Sequence, residues 1–185
     1  GGLGTDTLEF NEVAALVLTA PELSKLYSVE KITLASNTAS LTFGNETFTN
    51  LGNDTLQITT TTHNSVTTID GSAVSNGNFL IVDNGLNANS DKLVGGSGDD
   101  IFRFAGGTTL GLTDGDTVTG GAGDDTIQID NAAAVTAVFD FDTITGIETI
   151  SAYTSAATSL TDGALIIGII KNATAAKNVG AITVD

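Results

Sequence analysis

Apolar and polar residues alternate along this chain in short bursts. Residues 32–41, 54–61 and 65–82 are alternating or β-branched runs, each interrupted by Gly, Asn or Asp. Alternation at a period of two turns one row of side chains toward a core and the other toward solvent, so these runs predict short, half-buried strands. Residues 19–26 depart from the pattern. There Thr19, Pro21 and Glu22 precede Leu23 and Leu26, which predicts the start of a short connecting helix. The longest apolar stretch, residues 164–170, is interrupted by Gly168 and is far too short to span a bilayer, so the chain is not expected to cross a membrane.

The strands are punctuated by a repeat. Gly-Gly-x-Gly-x-Asp occurs at residues 1–6, 95–100 and 120–125, and an apolar residue follows each final Asp by two positions: Leu8, Phe102 and Ile127. Composition alone predicts roughly 0.03 such hexapeptides in a chain this rich in Gly. Glycines let a hexapeptide curl tightly with its carbonyl oxygens turned inward, and the closing Asp adds a carboxylate at the same place. The residue two beyond that Asp then points into the core of a short strand. Oxygen donors without a neighbouring His or Cys suit Ca²⁺ better than a transition metal. Weaker copies precede the good ones, with Asp91 before Leu93 and Asp116 before Val118, and Asp54 before Leu56 has the same spacing.

These turns resemble the hemolysin-type (RTX) calcium-binding nonapeptide, G-G-x-G-x-D-x-U-x, most clearly over residues 86–128. The resemblance implies an all-β chain folded as a parallel β-roll or β-helix solenoid with calcium-binding Gly-Asp turns. It also implies ion partners two half-coils apart. Asp100 would face Asp125 across one Ca²⁺, with Gly96, Gly98, Gly121 and Gly123 offering carbonyls, and Asp91 would face Asp116 across another. Asp6 would hold a half-site. The repeats at 95 and 120 are 25 residues apart where the nonapeptide pattern gives 18, so an enlarged turn around residues 104–110 is expected.

A longer period appears when residues 1–50 are slid onto residues 120–168. Asp6 falls on Asp125, Leu8 on Ile127 and, with a one-residue gap, Glu30 on Glu148. Residues 1–119 thus read as one solenoid module and 120–185 as the first half of a related one, a fragment of an array in which neighbouring modules or other copies are the natural partners. The Val/Ile-Glu-x-Ile strand after the turn also resembles modules of surface-layer proteins and RTX adhesins. Glu30 and Glu148 are expected to be outward-facing strand residues.

Composition sharpens this picture. The formal charge is −16, with 22 acidic against six basic residues, which makes nucleic acid an unsuitable partner and favours bound cations. There is no Cys, so a secreted form needs a staple other than a disulfide, and calcium supplies one. A catalytic reading finds no support: the Asp99-Asp100 and Asp124-Asp125 pairs are explained by the turns, His63 stands in a Thr-rich stretch, and the glycines lack the Lys of a phosphate loop. The expectation is a non-enzymatic, calcium-binding structural module, extracellular and at a bacterial cell surface. A surface-layer lattice protein leads, with an RTX adhesin stalk or the non-catalytic region of a type I-secreted hydrolase or toxin as alternatives.

Overall fold

The computed structural model describes residues 2–11, 15–35, 38–52, 54–61, 66–83, 89–107, 111–113, 115–131, 135–139, 143–152, 158–162 and 179–184. Its strands alternate between two parallel sheets as the chain advances. The first sheet contains β1 (Thr7–Phe10), β3 (Lys31–Leu34), β5 (Thr55–Thr60), β7 (Asn78–Asp83), β9 (Ile101–Gly107), β11 (Thr126–Asn131) and β14 (Thr149–Ala152), side by side in that order. The second contains β2 (Leu16–Leu18), β4 (Ala39–Gly44), β6 (Thr67–Ala73), β8 (Lys92–Val94), β10 (Thr117–Thr119) and β13 (Ile144–Thr145). Each coil is one strand of each sheet, so the chain is a two-sided parallel β-solenoid, as the repeat predicts. A third parallel sheet joins β12 (Val135–Phe139), β15 (Thr158–Asp162) and β16 (Val179–Val184).

The period-two pattern explains the core. In the first sheet Leu8, Ile32, Ile58, Ile81, Phe102, Ile127 and Ile150 stack in register through every strand. All but Leu8, on the first strand, are buried. The second sheet contributes Leu41, Ile69, Leu93, Val118 and Ile144 from the facing side. A strand buried in this way gains about 1.5–3 kcal/mol for each large aliphatic side chain removed from water.

Among the described residues, two short helices sit in the connections from the second sheet to the first. The expected connector forms α1 (Ala20–Leu23). Thr19 caps it, with the Glu22 carboxylate 2.8 Å from both the backbone nitrogen and the hydroxyl of Thr19, and Pro21 in the first turn. The second helix, α2 (Asn45–Leu51), has no counterpart in the alternation, although Phe48 and Leu51 at helical spacing and Gly52 at a left-handed φ of 68° are its signature. Phe48 packs edge-on against Phe79, which meets Phe43 in the same way, so α2 closes the core beneath the turn at residues 74–77.

The coil length corrects one expectation. Paired rungs lie 21 (Phe79–Asp100), 23 (Asp125–Glu148), 24 (Asp6–Glu30) and 25 (Asp100–Asp125) residues apart. The 25-residue spacing is therefore an ordinary coil rather than an enlarged one, and residues 104–107 continue β9. Residues 108–110 and His63 lie outside the described residues.

Candidate functional site

Acidic residues stand where the coil enters several of the strands, and they form two ladders at opposite edges of the roll. The first runs along the turns that lead into the first sheet. The Asp100 carboxylate accepts the Phe79 N–H of the preceding coil through Oδ1 (2.6 Å) and the Gly96 N–H of its own turn through Oδ2 (2.7 Å). One coil on, Asp125 Oδ1 accepts the Asp100 N–H (2.8 Å), and Glu148 Oε2 accepts the Asp125 N–H (2.8 Å). The second ladder leads into the second sheet. Asp91 Oδ1 accepts the Thr67 N–H (2.6 Å), and Asp116 Oδ1 accepts the Asp91 N–H (2.9 Å) while its Oδ2 takes the N–H and hydroxyl of Thr113.

The rule behind the ladders is local. A strand's first N–H has no sheet partner on the turn side, and a carboxylate one coil later reaches back to cap it. The structure thus brings Asp100 to Asp125 and Asp91 to Asp116, the pairs that the resemblance to the RTX turn implies. Asp6 sits at the head of the first ladder's column, with its N–H on Glu30 Oε2 (2.8 Å). Glu30 and Glu148 are therefore rungs rather than the outward-facing strand residues expected. Asp54 is out of register: the ladder column passes through Leu56 and Phe79, and Asp54 is exposed.

The turn glycines allow the stacking. Gly121 and Gly123 have φ of 123° and 118°, where a side chain is strained, and a Cβ on them would lie 2.0 Å from the Gly96 carbonyl and 2.5 Å from the Gly98 carbonyl. The Gly96 carbonyl accepts the Ala122 N–H (3.1 Å), so successive turns are bonded to one another. Asp99 and Asp124 lie on the exposed side, where Asp99 Oδ1 takes the Asp124 N–H (2.9 Å).

Burial dominates the electrostatics. Asp91, Asp100, Asp116 and Asp125 are all buried, and loss of hydration raises the pKa of each above the ordinary carboxylate value. Asp125 is pushed up to about 7. Burial is the main cause, the Asp100 N–H opposes it, and the charges of Asp100, Glu148 and Asp99 add to it. Asp91 also reaches about 7, through burial and the charges of Asp83 and Asp116, against the Thr67 N–H. Asp125 Oδ2 is buried and accepts no hydrogen bond, and the buried hydroxyls of Thr47 and Thr143, away from the ladder, also have no hydrogen-bond partner.

Asp83 is the acid that the repeat did not point to. It ends β7 on the inward side, buried, and its Oδ1 accepts the Thr60 hydroxyl at 2.6 Å. Its signal was the alternation Phe79, Ile81, Asp83, which places an acid where a third apolar residue belongs.

Compared with family models, curated proteins and solved structures, the chain matches none. The chemistry must be read from the donors themselves. They are carboxylate and carbonyl oxygens, without Cys or His, which is a donor set for a hard cation such as Ca²⁺. Among the described residues no three acids converge as a metal-holding group. The carboxylates come one per coil, so an ion here would draw one carboxylate from each of two neighbouring coils and complete its shell with carbonyls and water. The residues fit such a site best at Asp100 and Asp125, where the bare Oδ2 provides a lone pair. No helix among the described residues is long and apolar enough to cross a membrane.

Proposed function

We propose that this chain is a calcium-binding structural module of a secreted bacterial cell-surface protein, a surface-layer lattice protein foremost, in which Ca²⁺ drives folding and assembly. The observation that carries the reading is the buried Asp125 Oδ2, without a donor, in a ladder of acids whose ionisation burial opposes. A cation between coils would supply the missing charge and ligand together. Asp100 and Asp125 would hold one ion and Asp91 and Asp116 a second, with turn carbonyls from Gly96, Gly98, Gly121 and Gly123 as further donors and Asp6 as a half-site. Two ions would bring the formal charge from −16 to −12. The resemblance to RTX turns and the recurrence of the Asp6–Glu30 rung as Asp125–Glu148 support an array module rather than a catalytic domain. The linear stacking of coils also favours an RTX adhesin stalk as the second reading.

Calcium titration of EDTA-stripped protein by calorimetry, with far-UV circular dichroism and light scattering on the same sample, tests the proposal. Binding in the range of about 10⁻⁴–10⁻³ M is expected, with β structure gained on binding and weakened binding in Asp100→Asn/Asp125→Asn. Ordered assembly on calcium addition supports the lattice, and β structure without assembly supports the stalk. A metal-free protein that is fully folded and binds no calcium refutes the reading.

A further inference from the structure

Three turns share the Gly-Gly-x-Gly-x-Asp sequence, and one of them is built differently. In the turn at residues 95–100 the N–H of the second glycine, Gly96, closes back on Asp100 Oδ2 at 2.7 Å, and the Gly2 N–H reaches Asp6 Oδ2 in the same way. The Gly121 N–H makes no such bond to Asp125. Gly121 has a φ of 123°, in the left-handed region that Gly96 does not enter. The Asp125 carboxylate is held only through Oδ1, on the Asp100 N–H at 2.8 Å, although its side chain is fully buried. A buried carboxylate oxygen without a donor is costly to keep ionised.

What faces this oxygen is another acceptor. Gly120 leaves a notch between two coils: a Cβ on it would lie 1.8 Å from the Gly146 carbonyl oxygen of the following coil and 2.4 Å from Asp125 Oδ2. The two oxygens are therefore closer to each other than twice a Ca–O bond of about 2.3–2.6 Å, and one ion can touch both. Glu148, two residues after Gly146, is tied to Asp125 twice. Its Oε2 accepts the Asp125 N–H at 2.8 Å, and its own N–H donates to the Asp125 carbonyl at 3.0 Å. A similar notch exists at Gly95, where a Cβ would meet both Asp100 Oδ2 and the Gly120 carbonyl, but there the Gly96 N–H already serves the carboxylate.

We infer that Asp125, Gly146 and Glu148 form a divalent-cation site between this coil and the one after it, with Asp125 Oδ2, the Gly146 carbonyl and the Glu148 carboxylate as protein ligands and water completing the shell. Two carboxylates balance the charge of such an ion, and an all-oxygen set suits Ca²⁺. The inference rests on the calcium reading and extends it by a third coil. Residues 143–148, Thr-Ile-Thr-Gly-Ile-Glu, carry neither the paired glycines nor the Asp of the repeat, so the motif assigns no ligand there. Asp100 supports the site by fixing the Asp125 carboxylate through its N–H.

Two measurements test it. Trace Mn²⁺, which favours the same oxygen donors, is added to the calcium-loaded full chain, and the amide resonances of Glu148 and Thr149 are expected to broaden before those of Phe79 and Gly96. In calorimetric calcium titrations, Glu148→Gln keeps an acceptor for the Asp125 N–H and is expected to weaken one site about tenfold or more. Asp124→Asn, on the exposed side of the same turn, is expected to stay within about twofold of the parent. Broadening centred on Phe79 and Gly96, or a Glu148→Gln affinity equal to the parent's, overturns the inference and leaves the calcium reading standing. An Asp124→Asn loss as large as that of Glu148→Gln also overturns it, because bulk charge then accounts for both. Absence of calcium binding by the parent chain removes the inference and the calcium reading together.

Discussion

Raising the pH without calcium should loosen this fold, and the same change with calcium should not. Asp91 and Asp125 have folded-state pKa values near 7 against 3.8 for the free side chain. Between those values the folded chain holds protons that the unfolded chain has released, so stability falls as pH rises and is greatest near the lower end of the window. One fully coupled carboxylate contributes at most about 1.4 kcal/mol per pH unit. Both ladders lie at the roll's edges, where water screens them, and a net loss of about 2 kcal/mol between pH 5 and 8 is expected. With Ca²⁺ on the ionised carboxylates the balance inverts, because protons now compete with the ion; at a hundred times the dissociation constant one bound ion adds about 2.7 kcal/mol. The assay is urea unfolding followed by circular dichroism at pH 5, 6, 7 and 8, in EDTA and in millimolar calcium. A midpoint that stays level or climbs with pH in EDTA would refute the reasoning, since burial could not then be holding these protons.

Asp100→Ala strands the Phe79 and Gly96 N–H groups in a buried turn and should cost about 2–4 kcal/mol in metal-free unfolding, with Asp99→Ala on the exposed side within about 0.5 kcal/mol of the parent. Gly120→Ala drives a methyl to 1.8 Å from the Gly146 carbonyl and should lower the melting temperature sharply, whereas Gly2→Ala meets nothing within 4 Å and should leave it unchanged. Phe79→Ala empties the contact between α2 and the sheets and should cost about 3–5 kcal/mol in chemical denaturation.

The solenoid was legible because its signal is local. Leu8, Phe102 and Ile127 each follow a turn Asp by two residues, and that spacing fixes both the strand and its inward face. The ladder partners came from the resemblance to the RTX turns, which implies partners two half-coils apart. What escaped was whatever depends on neighbouring coils. Glu30 and Glu148 look like surface residues until the preceding coil presents an N–H to them. Asp54 mimics the motif, yet pairing shifts the column onto Leu56. Asp83 is tolerated inside because Thr60, one coil earlier, gives it a hydroxyl. The 25-residue spacing looked irregular only against an 18-residue pattern, and it is the neighbouring rungs, at 21 to 25 residues, that make it ordinary.

The coil-by-coil stacking has a mechanical consequence. Successive strands in a sheet are about 4.8 Å apart, so a coil adds very little to the length of the roll. The Asp100–Asp125 rung nevertheless closes a loop of 25 residues, which drawn straight spans about 85 Å. Tension applied along the roll would peel coils from an end, each release opening a few backbone bonds and one carboxylate cap while paying out many times the length it had occupied. A surface built from such rolls would yield in steps and lengthen before it broke.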